Sequence, residues 1–233
     1  MLGVWAYILG VCLDELVEQI ALRGYAFLPR HKPGVPSVKV FQSFGSVLTL
    51  DQFAPVQSLK PHNQTEATPN TYSGNFGTNE FPLHTDLAIW ALPPHYISLR
   101  CIYGTKSVAT RLLDGRTIIE SLGSNLLRRT LVQPRRPLRN GKQIMRLLEF
   151  DNTSGEPRIR WDCLFLKSAT DGSKTAMSKV RECLAQLPNF DLHLVNPGDT
   201  LIIDNWRMLH GRARTPEYAM NRQIDRAYIG DLF

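Results

Sequence analysis

Apolar residues Leu13, Leu16, Val17, Ile20 and Ala21 recur every three or four positions, which predicts an amphipathic helix that Gly24 ends. The run Tyr25 to Leu28 predicts a short strand stopped by Pro29. Periodicity then fades. Residues 61–82 mix His, Asn, Thr, Ser, Gly and Pro and predict a long loop, a length that in compact domains usually marks a lid or binding loop. The following segment, Leu83-His-Thr-Asp-Leu-Ala-Ile-Trp90, alternates as a strand would. Its period of two places His84, Asp86, Ala88 and Trp90 on one face and Thr85, Leu87 and Ile89 on the other. A second strand is expected over Tyr96 to Tyr103, a short helix after Ser121, and helical spacing between Ser178 and Leu187. Asn196-Pro-Gly-Asp turns into the apolar strand Thr200 to Ile203, and a final strand runs from about Arg222 to Ile229. Many strands and few helices, without repeat or linker, predict a mainly β fold with helical decoration, a sandwich or barrel forming one domain over residues 1–233.

Composition narrows the class. The chain has 233 residues, 43% of them hydrophobic, with ordinary Gly and Pro content, which excludes collagen-like, low-complexity and disordered readings. Cysteines 12, 101, 163 and 183 form no Cys-x-x-Cys pair, so reduced thiols and a cytoplasmic setting are expected. The apolar stretch from Met1 to Leu13 lacks a cationic leader and runs into Asp14 and Glu15, as a buried first helix would and a signal peptide would not. No segment reaches the roughly 18 uninterrupted apolar residues of a membrane span. Lys and Arg number 27 against 21 Asp and Glu, a formal charge of +6. Seven of these bases (Arg128, Arg129, Arg135, Arg136, Arg139, Lys142 and Arg146) form a run without an acid.

Candidate chemistry lies at three places. His84-Thr-Asp86 sets an imidazole and a carboxylate two residues apart, so both heads can reach one metal ion, although such a triplet alone arises easily by chance. His210 ends an apolar strand and its turn far downstream, a position where a lone histidine is usually structural. Together the three make two histidines and one carboxylate, the facial set that leaves three positions open on a non-haem Fe(II). In the terminal strand, Arg222, Ile224, Arg226 and Tyr228 share a face and Asp225 points the other way. Two guanidinium groups on one buried wall call for an anion, and arginine suits bidentate capture of a carboxylate.

These residues in this order resemble the taurine dioxygenase and clavaminate synthase-like Fe(II)/2-oxoglutarate oxygenases, over most of the chain. Gly24-Tyr-Ala-Phe-Leu-Pro-Arg30 resembles that family's N-terminal Gly-aromatic strand. His84-Thr-Asp86 resembles its first metal motif, and Pro197-Gly-Asp through Asp204-Asn-x-x-x-x-His210-Gly-Arg212 its second. The resemblance implies a double-stranded β-helix, a cupin-like jelly roll, with residues 61–82 as its lid. It implies Fe(II) on His84, Asp86 and His210, and the distal carboxylate of 2-oxoglutarate on Arg222 with help from Thr110. Arg226 would anchor an acidic group of the primary substrate. Trp90, placed on the pocket side by the alternation above, would line the substrate cavity or fill the barrel. With O2 the reaction would release succinate and CO2. The complete carboxylate at Asp86 favours hydroxylation over halogenation, and desaturation, cyclisation and cleavage need the same triad.

Two other classes share parts of this pattern. A zinc hydrolase or a non-catalytic β-sandwich could use two histidines and a carboxylate, but neither needs a buried carboxylate clamp. The basic run could contact phosphates. It lacks interleaved aromatics and a binding module, which argues against nucleic acid and for a solvated surface or a docking site for an acidic partner such as a carrier protein. The expected substrate is a small anionic or zwitterionic molecule, and no membrane is expected.

Overall fold

The structure is a computed structural model that describes residues 7–8, 11–50, 53–136 and 143–233. Arg139 and Lys142 of the basic run, and most of the apolar start, lie outside these residues. Two antiparallel sheets organise the rest. In the six-stranded sheet, Tyr25–Leu28, Thr200–Asp204, Tyr96–Tyr103, Gln223–Leu232 and Gly45–Val47 lie side by side, and Gln57–Leu59 also pairs with the terminal strand. The four-stranded sheet runs Phe190–Leu192, Thr110–Asp114, Met208–Arg212, Phe81–His84.

Alternation along these strands builds three apolar layers. Leu201 and Ile203 point inward and join Ile97, Leu99, Leu112, Met208, Ile224 and Tyr228 in one cluster between the sheets. Ile202, one residue out of phase, faces the other way. It packs with Ala227, Ile229 and the apolar stripes of helices Leu13–Arg23 (Leu16, Ile20) and Ser37–Gln42 (Val40, Phe41). Leu113 and Leu209, on the outer face of the smaller sheet, are covered by Ile118, Leu127, Met177 and Val180. These come from helices Gly115–Leu122, Ser124–Arg129 and Asp171–Gln186. Gly24 ends the first helix at φ +79°, a left-handed conformation that glycine adopts at no steric cost. No helix among the described residues is long and apolar enough to cross a membrane.

The alternation misleads at one place that matters. The strand expected through Trp90 stops at His84, and residues 86–89 form a turn with Leu87 at φ +53°. The backbone leaves the sheet because its hydrogen bonds go elsewhere: Thr85 N donates to Trp161 O (2.8 Å) and Asp86 N to Asn205 Oδ1 (2.8 Å). The expected loop at 61–82 contains a helix, Tyr72–Phe76, capped by Thr71 Oγ1, and its last two residues open the strand Phe81–His84. The helix expected over 178–187 starts earlier, at Asp171, where Thr170 Oγ1 accepts from Ser173 N. Six α-helices are present among the described residues, more than the few expected.

Asp225 points away from Arg226, as expected, whereas Arg222 precedes the strand and a register shift at Gln223/Ile224 interrupts the alternation between them. Asp225 accepts from Ser37 Oγ (2.6 Å) and lies opposite Arg100 on the neighbouring strand. Arg100 is 1% exposed and donates to the carbonyls of His31, Lys32 and Gly198 and to Thr200 Oγ1, which fixes the loop before Ser37 onto the sheet.

Candidate metal and anion site

His84 and His210 face each other across adjacent strands, since they are direct partners in the antiparallel pairing of Phe81–His84 with Met208–Arg212. Paired residues in a ladder share a face, and their ring centroids are 4.6 Å apart. Gly211 permits this approach, because a Cβ there would stand 2.7 Å from Phe81 O. Asp86, one turn beyond His84, comes back to the same point. Its Oδ1 lies 3.2 Å from His84 Nε2 and 3.5 Å from His210 Nε2. All three residues are buried, and their ligand atoms lie within 4.8 Å of one another.

The proton positions around this point suit a cation. His84 Nδ1 is 2.9 Å from Pro82 O; a carbonyl only accepts, so Nδ1 carries a proton, and in the neutral ring, the form that ligates a metal, Nε2 presents a lone pair. That lone pair faces a carboxylate oxygen, and two acceptors face each other stably only with a positive charge between them. Donors bound side by side on one octahedral ion stand about 3 Å apart, close to the separations seen. The set therefore fits Fe(II). Burial would raise the Asp86 pKa, but the Arg226 charge and the two histidines hold it well below the carboxylate range. Burial lowers the His210 pKa; for His84 the hydrogen bond and charge of Asp86 outweigh burial and raise it.

The second carboxylate oxygen is engaged. Asp86 Oδ2 accepts from Arg226 Nη1 and from the Tyr228 hydroxyl, each at 2.9 Å, which leaves Oδ1 for the ion. The same guanidinium donates through Nη2 to Gln57 Oε1, while its Nε is buried without a partner. Arg226 thus touches a metal ligand directly.

Arg222 is different. It is 8% exposed, its side chain makes no hydrogen bond or ion pair among the described residues, and its Nε is buried and unsatisfied. Burial pushes its pKa down to about 10. Arg212 is likewise pushed down to about 10, by burial and by the charge of Arg222, so the two guanidinium groups are neighbours. Arg212 lies over the Phe81 ring and donates to Gly77 O and Asn79 O, which ties the end of the 61–82 segment to the site. Thr110, a buried residue, pairs with Arg212 in the sheet register and shares its face; its hydroxyl has no hydrogen-bond partner among the described residues. A buried guanidinium without a counter-charge is costly, so this wall is built for an anion.

Trp90 falls outside the expected arrangement. It lies past the turn, its N donating to Leu87 O and its carbonyl accepting from Arg160, so the strand register that aimed it at the pocket does not exist. Several site-building residues carried no sequence signal. Asn205 fixes the Asp86 backbone. Arg160, 1% exposed, donates to the carbonyls of Ala88, Trp90 and Ala91 and to Glu149, pinning the turn after Asp86. The Tyr72 ring stacks on His84 (centroids 4.1 Å, 22°), and Asp162 lies close enough for His84 and Asp162 to shift each other's pKa. Asn205 alone sat inside a recognised motif, as the residue after Asp204.

Comparison with known proteins agrees with this geometry. The family model described as "Taurine catabolism dioxygenase TauD, TfdA family" matches residues 12–228. No curated protein matches the chain. Among solved structures, an asparagine oxygenase in complex with Fe(II), 2S,3S-3-hydroxyasparagine and succinate is similar. It has a TM-score of 0.70 and 20% identity over 93% of this chain and 77% of that one. The oxygenase OrfP in complex with Fe and α-ketoglutaric acid has a TM-score of 0.67 and 18% identity over 94% and 78%. PvcB from Pseudomonas aeruginosa has a TM-score of 0.66 and 18% identity over 94% and 80%.

Proposed function

The chain belongs to the TauD, TfdA family of non-haem Fe(II)/2-oxoglutarate oxygenases, and from that premise we propose that it hydroxylates a small zwitterionic or anionic molecule of amino-acid type. The observation that carries the proposal is the buried, unpartnered Arg222 beside the strand that supplies His210. A hydrolytic zinc site has no use for such a cation, whereas a dicarboxylate co-substrate does. The asparagine oxygenase and OrfP structures, which hold hydroxylated amino acids or 2-oxoglutarate, support the substrate class.

In this reading His84, Asp86 and His210 hold Fe(II), and the inter-sheet layer is the interior of a double-stranded β-helix formed by a single domain. The metal, 2-oxoglutarate and O2 together supply the oxidising power, and succinate and CO2 leave. The protein supplies position. Arg222 takes the distal carboxylate of 2-oxoglutarate, and the Thr110 hydroxyl donates to the same group. Arg226 holds Asp86 so that one oxygen is presented to the metal, and offers its remaining N–H groups to the acidic group of the substrate. The rings of Tyr72, stacked on His84, and of Phe76 and Phe81, packed against Tyr72, exclude water from that side.

The test is succinate release, screened across amino acids and small organic acids with Fe(II) and 2-oxoglutarate. Substrate-dependent succinate is expected, together with a weak visible absorption band when Fe(II) and 2-oxoglutarate are added anaerobically. Absence of both would overturn the proposal.

A further inference from the structure

The helix that covers the metal site is too short to hold itself there. Tyr72–Phe76 has five residues, none of them fully buried, and a helix of little more than one turn is unstable alone. Yet the Tyr72 ring lies 4.1 Å from the His84 ring, with Phe76 and Phe81 packed against Tyr72. The residues that follow the helix carry its anchors. Arg212 Nη2 donates to Gly77 O (2.8 Å) and Asn79 O (2.7 Å), and its guanidinium carbon lies 3.6 Å from the centre of the Phe81 ring. Thr215 N donates to Thr78 O (2.8 Å). One further tie is an ion pair from Arg111 to Glu80, whose carboxylate side chain is 53% exposed.

Arg212 also belongs to the anion wall. It is the direct sheet partner of Thr110, and Arg222 stands near enough for its charge to act on Arg212. Arg212 forms no ion pair with a described acid, and its Nε is buried without a hydrogen-bond partner. Two guanidinium groups are thus held side by side with no carboxylate between them, and their repulsion works against Arg212 keeping the place from which it grips Gly77 and Asn79. An anion received by Arg222 and Thr110 cancels that repulsion. Arg111 stands apart from this arrangement, because neighbouring residues of a strand point to opposite faces and Arg111 follows Thr110.

We propose that Arg212 is the positioning residue that couples occupancy of the 2-oxoglutarate site to the placing of the 72–81 segment over His84. The inference rests on the oxygenase reading above and adds a residue to it. Coupling of this kind is reciprocal: the co-substrate makes the cover harder to lift, and the cover makes the co-substrate harder to lose, by the same factor. With the site empty the cover is loosely held and the co-substrate can enter. With the site filled, the aromatic side of the metal is shut against water before oxidation begins.

The experiment measures amide hydrogen exchange in peptides spanning 72–81 on the Fe(II)-loaded protein under anaerobic conditions, with and without 2-oxoglutarate, beside calorimetric titration of the same ligand. In wild type, saturating 2-oxoglutarate should slow exchange in this segment about tenfold. Arg212→Met keeps an apolar stem over Phe81 but has no donor and no charge. Its segment should exchange fast in both states, and 2-oxoglutarate should bind about tenfold more weakly. Arg212→Lys, which can still donate to both carbonyls, should recover part of the ligand-dependent difference. Arg111→Met removes only the outer tie, so exchange should rise in both states while the ratio between them stays at its wild-type value. Wild-type protein that binds 2-oxoglutarate without any change in exchange at 72–81, or an Arg212→Met variant that keeps the wild-type ratio, would overturn the coupling alone. Should Arg212→Met not fold, the wild-type comparison and Arg212→Lys still decide. Wild-type protein that binds no 2-oxoglutarate would overturn the oxygenase reading and the coupling with it.

Discussion

Asn205 holds Asp86 by its backbone from both sides: Asn205 Oδ1 accepts from Asp86 N at 2.8 Å, and Asn205 Nδ2 donates to Asp86 O at 3.1 Å. The same amide nitrogen donates to Pro94 O at 2.9 Å, and the side chain is completely buried. Arg226 and Tyr228 hold the carboxylate end of the same residue. A metal ligand on a turn needs both constraints, because a turn lacks the ladder that fixes His210.

Asn205→Ala should therefore be among the more damaging single changes away from the triad. It leaves one N–H and two carbonyls buried without partners, each worth about 1–3 kcal/mol. A loss of about 3 kcal/mol or more is expected by urea denaturation, together with weaker Fe(II) binding. A change under about 0.5 kcal/mol would show that water replaces the amide and that the clamp does not position Asp86.

Tyr228→Phe isolates the carboxylate end. The variant keeps the ring and the Arg226 ion pair but removes one of two donors to Asp86 Oδ2. Loss of such a supporting hydrogen bond costs about 10–100-fold in metal affinity elsewhere, and about tenfold is expected here by competition with a chromophoric chelator. Unchanged affinity would mean that Arg226 alone orients the carboxylate.

The core strands were legible because their signal is local. Tyr25–Leu28, bounded by Gly24 and Pro29, is an unbroken apolar run, Thr200–Asp204 holds the apolar run Leu201 to Ile203, and Tyr96–Tyr103 is apolar or aromatic except at Ser98 and Arg100. The triad was legible because its members sit in two spaced motifs. The turn 85–90 was not, because its sequence keeps alternating while the partners that bend it, Trp161 and Asn205, lie 76 and 119 residues away. Tyr72 and Asp162 are single polar residues in aperiodic segments, and nothing in the chain marks their meeting at His84. His31 reads as a surface or capping residue in sequence, yet Arg100 holds its loop against the sheet and leaves it 7% exposed.

That burial gives His31 a pH signature. Desolvation, aided by the charges of Lys32 and Arg100, lowers its pKa from 6.5 to about 4. Between those values the unfolded chain binds a proton that the folded chain refuses, so this residue's contribution is intact above pH 6.5 and is lost as pH falls toward 4. The slope is about 1.4 kcal/mol per pH unit. Urea midpoints of wild type and His31→Gln, measured from pH 7 to 4, should converge as acid is added. Parallel curves would show that the imidazole accepts its proton in the folded state.

Arg222, just before the terminal strand, and Arg226 within it make the sharpest separation, because they have no partner in common. Arg222 is buried without a partner among the described residues, so the cost of removing it falls on whatever anion it receives. Arg222→Ala should weaken 2-oxoglutarate by about 100-fold, the 2–3 kcal/mol of a charge-assisted pair, while Fe(II) affinity holds. Arg222→Lys should recover only part, since an ammonium cannot reproduce the bidentate fork. Arg226 is already spent in part on Asp86 and Gln57. Arg226→Ala should weaken Fe(II) and raise the KM for the primary substrate, with 2-oxoglutarate affinity within about threefold of wild type once metal is saturating. Titrating both variants with 2-oxoglutarate under anaerobic, metal-saturated conditions reads the difference directly. If Arg226→Ala loses the co-substrate and Arg222→Ala keeps it, the roles of the two arginines are exchanged.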